Sequence, residues 1–321
     1  MSKSKQANES VDLKDRLLTG GLTEQEVSKF LETIKERVGS PRVIVFMGKT
    51  GVGKSEACNA LFGGGKEFKT NAVCSETSKL QLETIPGLPL TLVDVPGVGE
   101  PDMKRNEQWQ TLYQSVLTKG VSVTNSDGKT TYLPVDVIVW LVKADDRSLQ
   151  VDAEFYRNVF KKYCPPEMMG RVVYAISMAD KIDPIRGHGG WQEDSSKPGA
   201  EQEKNLDIKK REVGRIFEKP AHQIVAFSAS TSFNIDQLLE QVVDTLPREA
   251  IPLVVAEARK NQAKTKKRII NKKVEKKEDN ALWDVAEDVA DFIAGDKGKK
   301  VVKVIRTVCS RAIEFFKGWW S

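Results

Sequence analysis

Gly48-Lys49-Thr50-Gly51-Val52-Gly53-Lys54-Ser55 holds the residue types that can cradle a phosphate chain. Gly48, Gly51 and Gly53 let the backbone curl with its N–H groups turned inward, a shape that a Cβ would oppose. Lys54 can reach β- and γ-phosphates, and the Ser55 hydroxyl can ligate Mg²⁺. Such a loop works between a strand and a helix, because the helix N-terminus adds partial positive charge at the anion. The flanks supply both. Val43-Ile44-Val45-Phe46-Met47 is an apolar run that reads as a buried strand, and the run from Glu56 to Phe62 reads as the first turns of a helix.

A second motif lies about 40 residues on. The predicted strand Leu90–Val93 ends in Asp94-Val95-Pro96-Gly97, a DxxG at the edge where open α/β sheets bind ligands. The Asp94 carboxylate can hold Mg²⁺ through water, and the Gly97 N–H can meet a γ-phosphate and lose it after hydrolysis. Between the two motifs, one hydroxyl should close onto the metal and the γ-phosphate. Thr77 is the first choice, with Ser75 second. Residues 98–108 form a second polar loop ahead of a helix from about Glu107 to Leu117.

A base-reading segment follows the strand Arg171–Ile176. Guanine is read by a carboxylate that accepts from its N1–H and 2-amino groups, a pair that adenine lacks. Two registers of Ser177-Met178-Ala179-Asp180-Lys181-Ile182-Asp183 place a carboxylate in the NKxD position. Asp180 stands nearer the sheet edge and is preferred over Asp183. Neither register has Asn first, and the preferred one puts Met178, with its soft thioether, where Lys usually covers the base. Ser228-Ala229-Ser230, after the last predicted strand Ile224–Phe227, stands where a base-contacting loop would.

These residues need a layered α/β frame. Asp136–Val142 is wholly apolar except at its first position and predicts a central parallel strand. Residues 121–132 predict a hairpin around Asp127-Gly128. Helices are expected from near Val151, over Asn205–Glu218, and from Asn234 to before Pro247. Ahead of the loop, Val11–Val38 predicts two helical pieces broken at Thr19-Gly20-Gly21, with a capping box at Thr23 and Glu26. From Arg259 to Lys277 the composition turns basic, which suits a solvated helix face, a nucleic acid or an anionic lipid surface. Leu282, Val285, Val289 and Phe292 then mark an amphipathic helix, and Val301, Ile305 and Val308 another beyond Gly295. That last helix ends in Trp319-Trp320 and suits either packing on the N-terminal helices or a membrane interface. The division expected is a helical segment at 1–40, a nucleotide-binding domain at 41–250 and a basic, amphipathic helical region at 251–321.

The chain has 321 residues, 40% hydrophobic and 30% charged, with net charge +5. Cys58, Cys74, Cys164 and Cys309 form no CxxC or Cys/His cluster, which fits reduced thiols and a cytoplasmic setting and argues against zinc. No run approaches the ~20 apolar residues of a membrane span, and the polar N-terminus has no apolar signal region.

The order of motifs resembles the translation-factor-related GTPases, within them the Era-like, septin-like branch. Trp140–Arg147 with the Ser177–Pro184 segment resembles a bacterial, often prophage-associated group of YfjP type. The resemblance implies a P-loop G domain with a six-stranded, mostly parallel sheet flanked by helices, and additional helices at both ends. It implies Mg²⁺-dependent binding of GTP and GDP and slow hydrolysis. Two departures bear on mechanism. Val98 stands where Ras-like enzymes place the Gln that orients water. Gly51 stands where many Era-like relatives place an Asn that holds K⁺. Isolated monomers are therefore expected to be slow, with a homodimer across the nucleotide face or another partner supplying the missing group. Arg147 is a candidate donor. RNA or an anionic membrane are the partners that the C-terminal region suggests.

Overall fold

The computed structural model describes residues 13–63, 81–84, 90–94, 103–124, 129–308 and 312. Thr77, Ser75, Gly97, Val98 and Trp319-Trp320 lie outside them. Helices α1 (13–19) and α2 (Glu24–Val38) come first. The predicted capping box forms in both directions: the Thr23 N–H donates to Glu26 Oε2 at 2.7 Å, and the Glu26 N–H donates to Thr23 Oγ1 at 3.2 Å. The apolar run then forms β1 (Arg42–Gly48), followed by α3 (Lys54–Phe62), β2 (Gln81–Thr84), β3 (Leu90–Asp94) and α4 (Met103–Lys119). A hairpin of β4 (Val121–Thr124) and β5 (Thr130–Leu133) precedes the central strand β6 (Val137–Lys143). Next come α5 (Gln150–Phe155), a π-turn at Tyr156–Phe160, α6 (Lys161–Tyr163), α7 (Pro166–Met169) and β7 (Val172–Ser177). The chain continues through α8 (Ala200–Phe217), β8 (Val225–Ala226), α9 (Ile235–Thr245), α10 (Ile251–Thr265) and α11 (Lys272–Val308).

The main sheet runs β2-β3-β1-β6-β7-β8. Its middle is four parallel strands of five to seven residues, β3, β1, β6 and β7. At the margins, β2 is antiparallel to β3, and β8 is two residues parallel to β7. Side chains alternate along each strand, so the sheet feeds two cores. Ile44 and Phe46 face one with residues of α3, α9 and α10. Val43, Val45 and Met47 face the other with residues of α4, α5 and α8. The first core crosses residue 250 without a break, so α10 is built onto the phosphate-loop helix.

A third core joins the two ends of the chain. Leu17, Phe30 and Ile34 pack with Leu282, Val285 and Val289 and with Val301 and Ile305. This is possible because α11 breaks at Gly295, at φ 56° and ψ −148°, a conformation that favours glycine. Each large side chain buried there contributes roughly 1.5–3 kcal/mol. The packing reading of the terminal helices therefore holds over the described residues.

Four details differ from the sequence expectations. Helix α8 begins at Ala200, not Asn205, because Glu201-Gln202-Glu203 are good helix formers behind Gly199. Helix α4 begins at Met103, inside the loop expected at 98–108, since no Gly or Pro follows Pro101 to stop it. Phe292 is 71% exposed beside the core, with the Lys29 ammonium 5.8 Å from its ring centre, because Ala290 and Ile293 take the inward positions. The basic run is not simply solvated. Asp236, Glu240 and Asp244 form an i, i+4, i+8 stripe on α9 that pairs with Arg268, Lys273 and Lys277.

Candidate nucleotide site

Strand β1 delivers its last residue, Gly48, at φ 138°. A Cβ there would lie 2.3 Å from the Leu141 carbonyl oxygen of β6, so only glycine lets the loop leave the sheet at this point. Gly53 caps α3 in a left-handed conformation at φ 81°, which aims the helix N-terminus into the loop. Lys54 is buried, with its ammonium donating to the carbonyls of Gly48 at 3.3 Å and Lys49 at 3.1 Å. The cation thus spans the mouth of the loop. Ser55 follows it on the first turn, half-buried, and Thr50, Gly51 and Glu56 are exposed at the rim. Val52 is buried and locks the loop floor. Asp94 ends β3 directly beside β1, in register with Phe46. The oxygen donors Ser55 and Asp94 match a hard cation such as Mg²⁺.

Lys49 points away from this mouth. Its ammonium donates to the Ser148 carbonyl at 3.1 Å, lies 3.4 Å from Asp152 Oδ2 and pairs with Asp146. Asp152, in the first turn of α5, is fully buried, and neither of its carboxylate oxygens makes a well-formed hydrogen bond among the described residues. Burial pushes the Asp152 carboxyl up, and the Lys49 cation only partly opposes this. Burial works against the Lys49 ammonium too, but the two carboxylates outweigh it and raise its pKa.

The second wall is the end of β7. The Ser177 hydroxyl donates to the Val52 carbonyl at 2.6 Å and lies 3.3 Å from the Val142 carbonyl. One side chain therefore ties the base-reading strand to the phosphate loop and to β6. Met178 turns the chain at φ 54°, and its methyl group lies 3.2 Å from where a Gly53 Cβ would be. The next residues form a short 3₁₀ turn, Ala179–Lys181. Asp180 Oδ2 accepts from the Ser230 hydroxyl at 3.4 Å, while Asp180 Oδ1 is buried without a partner. Ser228 Oγ lies 3.0 Å from Ser230 Oγ and accepts from the Thr231 N–H. Together with Gly53, Lys181 and Ala229, residues Ser177, Met178, Asp180, Ser228 and Ser230 line a small cleft that opens to solvent. An orphaned carboxylate oxygen in a cleft beside a phosphate cradle fits a purine edge that donates two hydrogen bonds.

The structure separates the two candidate carboxylates. Asp183 is 77% exposed at its side chain and stands 3.9 Å from Arg147, itself 93% exposed. Both lie in a surface ion pair, outside the cleft. The sequence reading missed Ser177, Asp152, Gln202 and Asn261. Asn261, buried on α10, donates to the carbonyls of Asn59 at 3.3 Å and Ala60 at 2.9 Å, at the end of the phosphate-loop helix. Asp152 sits between Val151 and Ala153 in sequence, and a polar residue on an apolar face is the signal that was available there; Asn261, between Lys260 and Gln262, gave no such signal.

Residues 43–168 match the family described as 50S ribosome-binding GTPase. Two proteins of Escherichia coli (strain K12) are similar over most of their length. The chain is 32% identical to Uncharacterized protein YkfA over 231 residues, 71% of this chain and 70% of that protein. It is 31% identical to Uncharacterized protein YfjP over 229 residues, with the same shares of both. Among solved structures, the crystal structure of Era in complex with MgGDPNP and nucleotides 1506–1542 of 16S ribosomal RNA is similar at 22% identity and a TM-score of 0.42, covering 65% of this chain and 57% of that one. With its phosphate loop, its sheet order, the matching family and the two Escherichia coli relatives, the chain belongs to the G-domain family of P-loop GTPases.

Proposed function

We propose that this protein binds GTP with Mg²⁺ and hydrolyses it to GDP, slowly alone and faster on self-association or with a partner. The observation that carries this reading is Asp180 Oδ1, buried and unpartnered at the base end of a cleft whose other end is the phosphate loop. In this reading the loop Gly48–Ser55 wraps the phosphates, Lys54 neutralises the β- and γ-phosphates, and Asp180, flanked by Lys181, Ser228 and Ala229, reads guanine. Ser55, Asp94 and Thr77 would hold Mg²⁺, which when bound neutralises charge on the β- and γ-oxygens. The Gly97 N–H and the Thr77 hydroxyl would sense the γ-phosphate and move the loops that carry them.

Val98 offers no hydrogen bond to an attacking water, so the missing group is assigned to a second protomer or another protein. An open rim supports this: among the described residues, no neighbouring atom lies within 4 Å of where a Gly51 Cβ would stand. We place the chain with the YfjP-type group of the Era-like branch, with residues 41–250 as its G domain and 1–40 and 251–321 as helical additions. A cytoplasmic setting is part of the proposal, in keeping with the buried cysteines Cys58 and Cys164. No helix among the described residues is long and apolar enough to cross a membrane. RNA or anionic lipid is the weaker partner reading, because Arg259, Arg268, Lys273 and Lys277 are engaged by acidic side chains.

The test is displacement of labelled GDP by GTP and by ATP, each with and without Mg²⁺. GTP should displace at far lower concentration, and Asp180→Ala should abolish the difference. Equal displacement by ATP would overturn the assignment. Hydrolysis per molecule, followed across protein concentration, should climb if a second protomer completes the site.

A further inference from the structure

Helix α8 presents Gln202, Asn205 and Lys209 at spacings of three and four, on one face. All three side chains donate to backbone carbonyls of loops at the sheet edge. The Gln202 amide donates to the Ile182 carbonyl at 2.7 Å and reaches the Asp180 carbonyl at 3.5 Å. Asn205 donates to the Asp183 carbonyl at 2.6 Å. Lys209 donates to the Asp146 carbonyl, in the loop whose side chains hold Lys49. One helix face therefore grips the main chain at Asp180 and over the three residues after it and, one turn on, the segment that braces the phosphate loop.

The grip matters because the base-reading turn has few bonds of its own. The Lys181 N–H donates to the Met178 carbonyl at 2.9 Å, the Ile182 N–H only reaches Ala179 at 3.5 Å, and the Ala179 N–H is tied to Phe227 at 3.0 Å. Met178 holds a left-handed conformation that costs a side-chain residue energy. The segment also lacks the Asn that opens the usual motif, so Ser177 braces the phosphate loop and nothing at that position braces the turn itself. Gln202 is fully buried, yet its Oε1 has no partner. Burying a half-satisfied amide is unfavourable against an apolar residue of the same size. Its compensation is the pair of carbonyls it fixes.

We infer that Gln202 is a positioning residue for base discrimination: through the Ile182 and Asp180 carbonyls it sets where the Asp180 carboxylate meets the base. This rests on the reading of Asp180 as the guanine contact. Side-chain direction follows main-chain placement, and a bidentate contact tolerates displacement poorly.

The experiment measures equilibrium affinity of the full chain for GDP and for inosine diphosphate, which lacks the 2-amino group, by competition with labelled GDP. In Gln202→Leu the preference for GDP over inosine diphosphate should shrink about tenfold while affinity for inosine diphosphate changes little. Proportional weakening of both nucleotides would mean a merely structural residue and would overturn the inference, as would an unchanged preference. If Gln202→Leu fails to fold, Gln202→Asn keeps a buried amide but withdraws it by one methylene, and is judged by the same ratio. Asp180→Ala is measured beside them. Loss of preference in Asp180→Ala but not in the Gln202 variants sinks the positioning role alone. An unchanged preference in Asp180→Ala sinks the guanine reading itself.

Discussion

Replacing Lys49 with Met removes the cation beside a fully buried carboxylate. Among the described residues Asp152 makes no well-formed hydrogen bond; Lys49 Nζ stands 3.4 Å from its Oδ2, and besides this cation only the Trp140 indole N–H favours the charged carboxylate. At that separation and an effective dielectric of about 20, the attraction is on the order of 5 kcal/mol. Breaking one side of a buried pair costs roughly 3–5 kcal/mol in practice, a large share of the about 5–15 kcal/mol that holds a domain. The carboxyl can escape by taking up a proton, which gives the penalty a pH signature. Burial already holds Asp152 above the ordinary carboxylate range, and losing Lys49 raises it further. The folded state then binds more protons than the unfolded one, so stability falls as pH rises from the ordinary carboxylate value through the folded one. Urea unfolding of Lys49→Met should show the full deficit at pH 7 and a smaller one at pH 5. Adding Asp152→Asn, which removes the stranded charge, should recover most of the loss at pH 7. A deficit under about 1 kcal/mol, or one that is equal at both pH values, would show a pair worth no more than a surface bridge and refute the reasoning.

Two further outcomes follow from the site. Ser177→Ala removes the 2.6 Å bond to the Val52 carbonyl and leaves that carbonyl without its hydroxyl partner; about 1–3 kcal/mol should be lost, read as faster release of labelled GDP. Gly48→Ala puts a Cβ 2.3 Å from the Leu141 carbonyl oxygen; nucleotide binding should vanish, and retained binding at wild-type affinity would show that β6 yields there.

The features that were legible in the sequence are those that local geometry dictates. The glycines at 48, 51 and 53 all take positive φ, and their spacing alone predicts the loop. Asp180 was legible because a strand must end before it. What stayed hidden acts across long stretches of chain. Ser177 reaches a carbonyl 125 residues away, and Asn261 one about 200 residues away; no local period encodes such a bond. Gln202 was hidden differently: the Gly- and Ser-rich run before it reads as loop, and it draws attention away from the helix formers that start at Ala200. The basic run is largely solvated, as its composition suggests, but its acidic partner was overlooked. The stripe Asp236, Glu240, Asp244 can be counted in the sequence, but only the α9–α11 packing shows that it faces the lysines.

The same packing ties the C-terminal helices to the nucleotide. Asn261 caps the last turn of α3, the helix whose first turn carries Lys54 and Ser55. Helix α10 is continuous through its core with α3, and it leads into α11, one side of the third core. A shift of α3 on nucleotide binding must therefore reach α10 or break these bonds. Asn261→Leu keeps the branched heavy-atom skeleton, though it is bulkier, and withdraws both N–H donors of the amide, at a cost of about 1–2 kcal/mol. Hydrogen exchange should show GDP protecting α10 and the first arm of α11 in the wild type, and much less so in Asn261→Leu, while protection of α3 itself persists. Equal protection of α10 in both proteins would mean that the apolar contacts alone carry the coupling and that the amide only closes a helix end.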